Sequence, residues 1–591
     1  MIKFLFIAPV LLLFCLYVLI APIYFQGGDT AELVNASYHL FVAHPPGYPL
    51  YIWLQHFWLT LTSFSTVYFR ASLLSVVFTI GTLLFLVWPL RRNISLLLIP
   101  LVFLGLNPDF VESAVLPDVF SLHGLFVAAI LSLFLVESRW KSFLIPFLFC
   151  LSLSNHHTTI LLGPLLLYQI REMKKDFWLG LLIGSITCAL MYLSLLGLDH
   201  NHPYSWGNVK DIDSVISHFL RKDYGTFKLA ANGENQGPKA LLFLLQSLLP
   251  TLVLTLVLFA KSWRNLISDK KVILVLATLV LCFVFSLMGN ILPEQAGAEV
   301  LKRFHIMPLV ILTSLNVYII SLFNFSYKEK VLTSVIMLST LGFQGYVLKD
   351  FMSLRNDSII EDYSRNLFKG AKKNSPAIIS VKSDTAFFGL RYVSSFEGNI
   401  FDKKVAIITP EMLFHPWFSD KVKMLLPEFH LKNKEKVLVQ RKLNINQDLI
   451  QPNLQSYNFL MTTDYKEGTW FKLVFLPLGR VLRAGQGTYF DSNSIDDLIL
   501  TNRPLEIPRG SQQYTKGFLY YQYSHFHMAQ AYHYWSINEP EKAKAEWENA
   551  IKKVNYALPA MVNLCNHFPD TYDFCQVERL KELEKETKGF Y

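Results

Sequence analysis

Residues 4–25 read FLFIAPVLLLFCLYVLIAPIYF, and they run directly into QGGDTAE at residues 26–32. An apolar stretch of this length can cross a bilayer as a helix, which requires about 20 residues. Lys3 precedes the stretch and no small-residue cleavage site ends it, so we interpret it as a retained first span and not as a cleaved signal peptide. The carboxylates of Asp29 and Glu32 follow where the chain leaves the membrane, and this placement suggests chemistry at the membrane surface.

The composition of the whole chain supports a membrane protein. Of 591 residues, 52% are hydrophobic and 17% are charged, and the mean hydropathy is +0.33. A soluble protein of this length does not need so much apolar surface, so soluble classes are excluded. The formal net charge of +9 does not indicate nucleic-acid binding, because the basic residues fall in short runs between apolar segments.

The apolar stretches predict an α-helical polytopic membrane protein with about eleven spans. The predicted spans are 4–25, 71–90, 94–107, 119–136, 142–154, 158–170, 177–198, 240–260, 272–292, 305–323 and 331–349. A further apolar stretch at 48–62 contains His56 and two tryptophans, and it is more typical of an interfacial helix. Residues 1–350 therefore form the predicted transmembrane domain.

The distribution of basic residues predicts the orientation of the spans. With Lys3 in the cytoplasm, the basic loops fall on the cytoplasmic side, and the loops with acidic residues next to a span fall on the other side. This partition favours an odd number of spans and a C-terminal part outside the cytosol. We expect an integral, multi-pass protein of a bacterial inner membrane, or of the endoplasmic reticulum if the chain is eukaryotic, with its active site on the non-cytoplasmic side.

The polar remainder of the chain predicts two soluble segments. Residues 351–510 form an α/β domain in this interpretation, with strands at 377–381 and 405–409 and β-rich stretches at 456–463 and 470–484. Residues 511–591 resemble one helix–turn–helix unit of the tetratricopeptide type, which cannot bury its own face and so predicts a protein partner or packing on the α/β part. Outside the cytosol, Cys565 and Cys575 of this segment could form a disulfide.

The acidic pair of the first loop, Asp29 and Glu32, has two possible interpretations. Asp29 and Glu32 share a face of a nascent helix, near an N-terminus where negative charge is favoured. A capping box that starts at Asp29 or Thr30 would explain the pair without catalysis. Two preceding glycines and the adjoining span are arguments for a catalytic site, and the pair by itself leaves both interpretations open.

The following motif, His44-Pro45-Pro46-Gly47-Tyr48-Pro49, predicts a rigid turn. Three prolines and one glycine in six residues make a stiff and sharply turned segment. Such backbone at membrane depth is tolerated only where it is buried or lines a cavity. The motif is either a re-entrant turn or a support that holds His44 and Tyr48 near the first-loop carboxylates.

Other candidate site residues lie in the later external loops. Carboxylates at a span entrance need a partner or water, which marks Glu112 and Asp118. An arginine on the non-cytoplasmic side, where the charge rule does not require one, suggests that Arg303 binds an anionic group such as a lipid phosphate. The remaining candidates are the polar groups of two further loops: Asn155, His156, His157, Arg221 and Lys222. None of these residues has the spacing of a zinc site.

Together these motifs resemble the GT-C class of membrane glycosyltransferases, and in particular the protein O-mannosyltransferase-like family that includes the animal plexin-type enzyme. The resemblance rests on GDTAE at 28–32, AHPPGYP at 43–49, the stretch 114–125, NHH at 155–157 and RKDYG at 221–225. It covers about the first 310 residues. Asp118-Val119-Phe120 departs from the pattern, which has a glutamate before an aromatic pair, and residues 351–591 match nothing closely.

The resemblance implies an inverting transfer of a sugar, mannose above all, from a polyprenyl- or dolichyl-phosphate donor to Ser/Thr hydroxyls of exported proteins. Asp29 would be the catalytic base and Glu32 its support, while Arg303 and His156 would meet the lipid phosphate. No Asp-x-Asp motif stands in the first loop, so we expect no metal and no cofactor. A lipid or glycan acceptor remains open, as does a flippase, although the spans carry few ionisable groups and no internal repeat.

Overall fold

The computed structural model of the protein describes most of the chain. Described are residues 2–87, 94–171, 175–224, 235–294, 296–322, 348–369, 376–381, 383–397, 404–453, 455–461, 475–476, 480–481 and 524–587, together with single residues at 331, 335, 342, 345, 346 and 517. The predicted span at 331–349 and much of the predicted 470–484 strand region lie outside these residues.

The chain packs as two compact units that interleave in sequence. The membrane unit comprises Met1–Tyr24, Ala36–His200 and Asn208–Asp357. The C-terminal unit comprises Phe25–Asn35, Asn201–Gly207 and Ser358–Tyr591. The segment that carries Asp29 and Glu32 therefore belongs to the same unit as the polar C-terminal residues, although it follows the first apolar helix in sequence.

The described part of the membrane unit is helical. Its helices, with α2 beginning in the C-terminal unit, are α1 (Ile2–Ile20), α2 (Thr30–His39), α3 (Pro49–Leu61), α4 (Val67–Val87), α5 (Ile94–Gly105), α6 (Pro108–Val115), α7 (Val119–Leu135), α8 (Lys141–Leu153), α9 (Gly163–Ile170), α10 (Lys175–Leu193), α11 (Ile212–Phe219), α12 (Gly237–Ser268), α13 (Lys270–Met288), α14 (Ala296–Phe304) and α15 (Ile306–Leu322). Short 3-10 helices occupy His157–Leu162, Ser194–Gly197 and Lys349–Asn356.

Several of these helices are long and apolar enough to span a bilayer. Within the described residues, 5 segments meet this condition, or up to 6 if α6 and α7, which are bent by 114° at their junction, count as one broken span. The five are Val67–Val87, Lys175–Gly197, Gly237–Ala260, Lys270–Met288 and Gly297–Leu322. The protein is an integral membrane protein, and the count of about eleven spans stays a prediction.

Burial separates the central helices from the outer ones. The apolar window of the segment 297–322 is 89% buried, whereas those of 175–197 and 270–288 are 22% and 28% buried. Helix α7 is buried along nearly its whole length and packs against α4 and α15. Helices α4, α7 and α15 thus form the centre of the membrane unit, and α10 and α13 expose apolar surface of the kind that faces lipid.

Small residues allow α10 to pack closely on α8. A side chain at Gly180 would collide with the backbone oxygen of Phe143, and one at Gly184 would lie 2.8 Å from that of Phe147. The Gly-xxx-Gly spacing lets two helix backbones approach within a membrane, where packing and not hydrophobic burial drives association.

The C-terminal unit contains a mixed sheet flanked by helices. The strands β1 (Ala377–Ser380), β2 (Val405–Ile408), β3 (Asn458–Met461), β4 (Phe475–Leu476) and β5 (Arg480–Val481) lie in the order β2-β1-β3-β5-β4. Strand β1 pairs in parallel with β2 and β3, with Ala377 opposite Val405 and Asn458, and β5 pairs antiparallel with β3 and β4. The two predicted buried strands thus lie side by side, and both are fully buried.

The helices of this unit connect the strands and form the tail. They are α16 (Ile359–Lys369), α17 (Asp384–Phe396), α18 (Pro416–Leu425), α19 (Lys434–Gln440), α20 (His525–Ser536), α21 (Pro540–Lys553), α22 (Leu558–His567) and α23 (Val577–Glu586). In the tail, α20 packs on α21 and α21 on α22. Trp547 of α21 is 1% exposed and stacks on His567, which gives this segment a small core of its own.

A disulfide between Cys565 and Cys575 closes a short loop in the tail. We expect the Cys565→Ser variant to lower the free energy of unfolding of this segment by about 2–3 kcal/mol, because the closed loop restricts the unfolded chain. Limited proteolysis of residues 524–587 with and without reductant measures the change. Cys15→Ser, which removes a cysteine outside the disulfide, is the control. Equal protease resistance in the two variants would contradict the assignment.

Candidate active site

The segment that contains Asp29 and Glu32 is held by two helices of the C-terminal unit. The Phe25 amide donates to Glu361 Oε2 at 3.2 Å, and the Gly28 amide donates to Thr385 Oγ1 at 3.2 Å. Further along, Asn35 Nδ2 donates to the backbone oxygen of Arg391 at 3.4 Å. Three contacts thus fix the backbone on both sides of Asp29.

The local structure of this segment follows its sequence. Helix α2 begins at Thr30, whose hydroxyl donates to the Gly27 carbonyl at 2.7 Å. The Leu33 amide donates to the Asp29 carbonyl at 3.0 Å, so Asp29 stands at the start of the first turn. The Glu32 side chain lies within that turn and its residue is only 3% exposed. A carboxylate buried to this degree needs a compensating positive charge or hydrogen bonds.

Arg391 of α17 supplies positive charge to this region. It is 5% exposed, its guanidinium lies 3.9 Å from the ring centre of Phe387, and Nη1 donates to the Tyr204 carbonyl at 3.4 Å. Burial lowers the pKa of Arg391 to about 10, and the charges of Tyr204 and Glu32 act in the opposite direction. Glu32 is therefore one of two groups whose charge favours the charged form of Arg391.

A second charged cluster lies beside Phe25. Arg365 of α16 pairs with Asp362 at 2.9 Å, with Glu397 at 2.6 Å and with Glu361. Burial raises the pKa of Glu361 to about 7, and the positive charge of Arg365 opposes this rise. Glu361 thus joins the backbone before the glycines to a network in which one arginine is paired with three carboxylates.

In the membrane unit, the His-Pro-Pro-Gly-Tyr-Pro motif forms a buried turn ahead of α3. Gly47 has a φ of +87°, and a side chain there would lie 3.0 Å from the ring of His218, so only glycine fits. Tyr48 Oη lies 3.3 Å from His44 Nε2, and the ring of Tyr48 stacks on that of His156. The turn therefore brings two predicted site residues together with a third from a distant loop.

A chain of hydrogen bonds sets the tautomer of His156. Its Nδ1 accepts the amide of Thr158 at 3.3 Å and lies 2.7 Å from the Thr158 hydroxyl, which in turn lies 3.2 Å from His123 Nε2. Because Nδ1 accepts, the neutral ring carries its proton on Nε2. Burial, with the nearby charges of His123, His157 and Arg221, holds the pKa of His156 well below its usual value. The ring is thus a neutral donor at pH 7.

The neighbours of His156 are also fixed by contacts. Asn155 is 1% exposed and donates from Nδ2 to the Val119 carbonyl at 3.1 Å. His157 Nε2 lies 3.1 Å from Tyr192 Oη. Burial, followed by the charge of Arg221, lowers the pKa of His157 to about 4. Both histidines therefore lie close to the cationic side chain of Arg221.

Arg221 stands out among the cations of the membrane unit. Its φ is 52°, its Nε is buried without a hydrogen-bond partner, and its guanidinium lies 5.5 Å from the Tyr224 ring. No carboxylate of the described residues forms an ion pair with it. Lys222, by contrast, is exposed. A half-buried guanidinium with a buried, unused donor, whose charge acts on two neutral histidines, can bind an anion such as a phosphate.

The other predicted charged residues are paired with one another. Glu112 lies 3.4 Å from Lys302 Nζ, and Asp118 lies 3.5 Å from Arg303 Nε. Asp118 Oδ1 also accepts the Val119 amide at 2.6 Å, so this carboxylate caps α7. Arg303, which we expected to be the phosphate ligand, is thus paired with a carboxylate, and its role in binding phosphate stays a prediction.

An apolar groove lies beside His157. It has a volume of about 380 Å³ and is lined by side chains of α8, α10 and α11, among them Leu153, Cys188, Tyr192, Ile216 and Phe219. Two of its lining residues, Tyr192 and Phe219, contact the ring of His157. The groove therefore joins apolar helix surface to the polar group formed by His156, His157 and Arg221.

The predicted site residues fall into two groups, one in each unit. Asp29 and Glu32 lie in the C-terminal unit, and the other ten lie in the membrane unit. Sequence reasoning missed Thr385, Glu361 and Arg391, which lie more than three hundred residues from their partners, in helices whose pattern carries no functional signal. In the part of the chain that the structure describes, no group of three His, Cys, Asp or Glu side chains could hold a metal ion.

Comparisons with known proteins confirm the resemblance inferred from the motifs. Residues 29–176 match the family model of the Protein O-mannosyl-transferase TMEM260 N-terminal domain. Protein O-mannosyl-transferase TMEM260 of Mus musculus is 25% identical over 452 residues, which are 70% of this chain and 63% of that protein. Its counterpart in Dictyostelium discoideum is 26% identical over 245 residues, 34% of this chain and 29% of that protein. The chain thus spans less than two thirds of either relative.

Among solved structures, the crystal structure of ArnT from Cupriavidus metallidurans in the apo state aligns with a TM-score of 0.45 and 11% sequence identity. The alignment covers 73% of this chain and 95% of that chain.

The pairing of Glu112 with Lys302 predicts how their variants behave. We expect Glu112→Gln alone to lower the free energy of unfolding by about 2 kcal/mol, because it leaves a poorly solvated ammonium group without its partner. The double variant Glu112→Gln/Lys302→Met should lose less free energy of unfolding than Glu112→Gln alone. Its KM for the donor should stay near that of the parent protein. Thermal unfolding in detergent measures the first effect. A double variant that folds normally but cannot bind donor would instead indicate a direct role in substrate binding.

Proposed function

We propose that this protein is an inverting glycosyltransferase that moves mannose from a polyprenyl- or dolichyl-phosphate donor to Ser/Thr hydroxyls of exported proteins. The observation that carries this proposal is the match of residues 29–176 to the O-mannosyltransferase family model. The matched region begins at Asp29, the residue that we propose as the base. The same donor with a lipid or glycan acceptor is the alternative that an acceptor survey would reveal.

In this reaction Asp29 acts as the general base. The acceptor hydroxyl attacks the anomeric carbon on the face opposite the phosphate, its proton passes to the Asp29 carboxylate, and the carbon–oxygen bond to the phosphate breaks. The lipid phosphate leaves with the bonding electrons, and the sugar configuration inverts. A phosphate-linked sugar is already activated, so positioning and proton removal supply most of the required catalysis. Glu32 supports the base from the same helical turn, and the reaction proceeds without a metal.

We place the donor phosphate at Arg221 and His156 of the membrane unit. The guanidinium of Arg221 has an unused donor and no ion-pair partner among the described residues, whereas Arg303 is already paired with Asp118. The Nε2 proton of neutral His156 supplies a second donor. Charged and neutral donors fixed before the reaction stabilise the phosphate as negative charge develops on it. Four other residues of the predicted site, His44, Tyr48, Asn155 and His157, hold this arrangement in place.

The prenyl chain of the donor occupies the apolar groove beside His157. Its volume of about 380 Å³ accommodates several isoprene units, and its walls carry the apolar side chains that a lipid chain requires. Helix α11 forms one wall and leads directly into Arg221, so a lipid in the groove would place its phosphate near the guanidinium.

The proposed architecture is a membrane domain of about eleven spans with an α/β domain and a tetratricopeptide-like tail outside the cytosol. The disulfide of the tail supports this orientation, because disulfides persist in oxidising compartments. Protein acceptors are reached on that side of the membrane, and the tail offers a surface to such a partner.

Asp29→Asn should abolish transfer, since the amide cannot accept the acceptor proton, while the fold is retained. We expect kcat to fall by at least about a thousandfold, in the range of lost general-base catalysis combined with lost charge. The measurement is transfer from radiolabelled polyprenyl-phosphate mannose in purified membranes, with and without a strong chelator. Asp213→Asn, which changes an exposed acidic residue of α11, is the control. Transfer by Asp29→Asn at the parental rate would remove the assignment of the base.

Arg221→Ala should weaken donor binding with less effect on protein acceptor. We expect the KM for donor to rise about tenfold or more, as for the loss of a charge-assisted hydrogen bond worth about 1.5–3 kcal/mol. Arg221→Lys should recover only part of the affinity, because an ammonium group lacks the forked donors. Lys210→Ala changes an exposed cation of the same loop and should leave the KM unchanged. A rise confined to the acceptor KM would refute the phosphate assignment.

A further inference from the structure

Helix α17 of the C-terminal unit touches the catalytic segment at two separated points. Thr385, in its first turn, accepts the amide of Gly28, the residue immediately before Asp29. Arg391, near its C-terminal end, accepts a hydrogen bond from Asn35 through its backbone oxygen. One rigid helix therefore sets the position of the chain before Asp29 and after it.

The side chain of Arg391 acts on the same face of α2. Glu32 and Asn35 are three residues apart and so share a face of the helix. The backbone of Arg391 binds Asn35, and its guanidinium interacts electrostatically with Glu32. Arg391 of α17 therefore acts on two side chains of one face of α2, by a hydrogen bond with Asn35 and by its charge on Glu32.

The surroundings of Arg391 are unusually poor in hydrogen-bond acceptors. The guanidinium lies within 3.9 Å, 5.0 Å and 5.7 Å of the ring centres of Phe387, Tyr204 and Phe418. Its Nε is buried without a hydrogen-bond partner. Aromatic faces offset only part of the cost of removing a cation from water. The charges of Tyr204 and then of Glu32 act against this cost, and Glu32 is the group on α2 through which Arg391 acts.

We propose that Arg391 is a positioning residue of the transfer reaction, which acts through Glu32 to hold the first turn of α2, and with it Asp29, in the arrangement that removes the acceptor proton. This inference rests on the proposed function of Asp29. Two carboxylates three residues apart repel each other, and the buried cation offsets that repulsion from the side of Glu32. Helix α17 therefore takes part in positioning the catalytic carboxylate within the C-terminal unit.

The test is a double-mutant cycle of Arg391 and Glu32 with transfer as the readout. We expect Arg391→Met to lower kcat by about ten- to a hundredfold, or roughly 1.4–2.8 kcal/mol, with the KM for donor within about twofold of the parent. In a Glu32→Gln background the same substitution should lower kcat by less than about threefold, because the charge on which Arg391 acts is already gone. Arg391→Lys should restore much of the loss.

Lys421→Met provides the matched control. Lys421 is a buried cation of the same unit, 7% exposed, and like Arg391 it donates to a backbone oxygen of the 201–207 segment, here that of His202 at 3.2 Å. The two links of Arg391 to α2, its hydrogen bond with Asn35 and its charge on Glu32, do not involve Lys421. Lys421→Met should therefore change kcat by the same factor in the parental and Glu32→Gln backgrounds. If Arg391→Met lowered kcat by the same factor in the parental and Glu32→Gln backgrounds, the proposal would be overturned.

A second measurement does not depend on transfer activity. Amide hydrogen exchange of residues 25–35 should accelerate in Arg391→Met, and in Thr385→Val but not in Thr385→Ser, since serine keeps the acceptor for Gly28. Unchanged exchange in Arg391→Met and Thr385→Val would also overturn the inference. If Asp29→Asn retains full transfer while exchange changes as expected, the function proposed for Asp29 fails and the structural link stands.

Discussion

Buried charge must be balanced inside a protein, because removing an ion from water costs several kcal/mol even after relaxation. In the C-terminal unit this constraint links the segment 25–35 to helices that follow it by more than three hundred residues. Arg391 is stacked on aromatic rings with an unused Nε, and Glu32 supplies the charge that acts on it. The position of a short loop near the start of the chain thus depends on the folding of its C-terminal part.

The same constraint separates the cations of the membrane unit by role. Lys302 and Arg303 lie within 3.4 Å and 3.5 Å of the carboxylates of Glu112 and Asp118, and such pairs join α14 to the α6–α7 bend. A cation already engaged in this way gains little by binding a ligand, since it must first give up its partner. Arg221 has no such partner among the described residues, it keeps an unused donor, and its charge acts on two neutral histidines. The difference in pairing favours Arg221 over Arg303 as the ligand of an anion.

Local patterns in the sequence predicted local structure well. The apolar periods located α4, α10, α12, α13 and α15, and the two runs of β-branched residues located β1 and β2. The helix start after Asp29 and the position of Asp118 ahead of α7 could also be anticipated from capping preferences. These features depend on residues within one or two turns of each other.

The long-range partners could not be predicted in the same way. Thr385, Glu361 and Arg391 are single polar residues in amphipathic helices, and nothing in such a helix identifies which distant backbone it will meet. The sequence also suggested Arg303 because of its side of the membrane, but a charge rule does not report that Asp118 would lie 3.5 Å from it. Pairing between separated residues is decided by tertiary packing, which a single sequence does not display.

This dependence has a consequence for where the catalytic part of the chain ends. Composition divides the chain near residue 350, and the family model matches only residues 29–176. Yet the amides of Phe25 and Gly28, and the side chain of Asn35, find their partners at Glu361, Thr385 and Arg391. A chain ended at 350 would keep every residue of the matched region and lose all three of these contacts. The buried carboxylate of Glu32 would then also lose the positive charge of Arg391. The smallest part of this protein able to hold Asp29 in place therefore extends at least through α17.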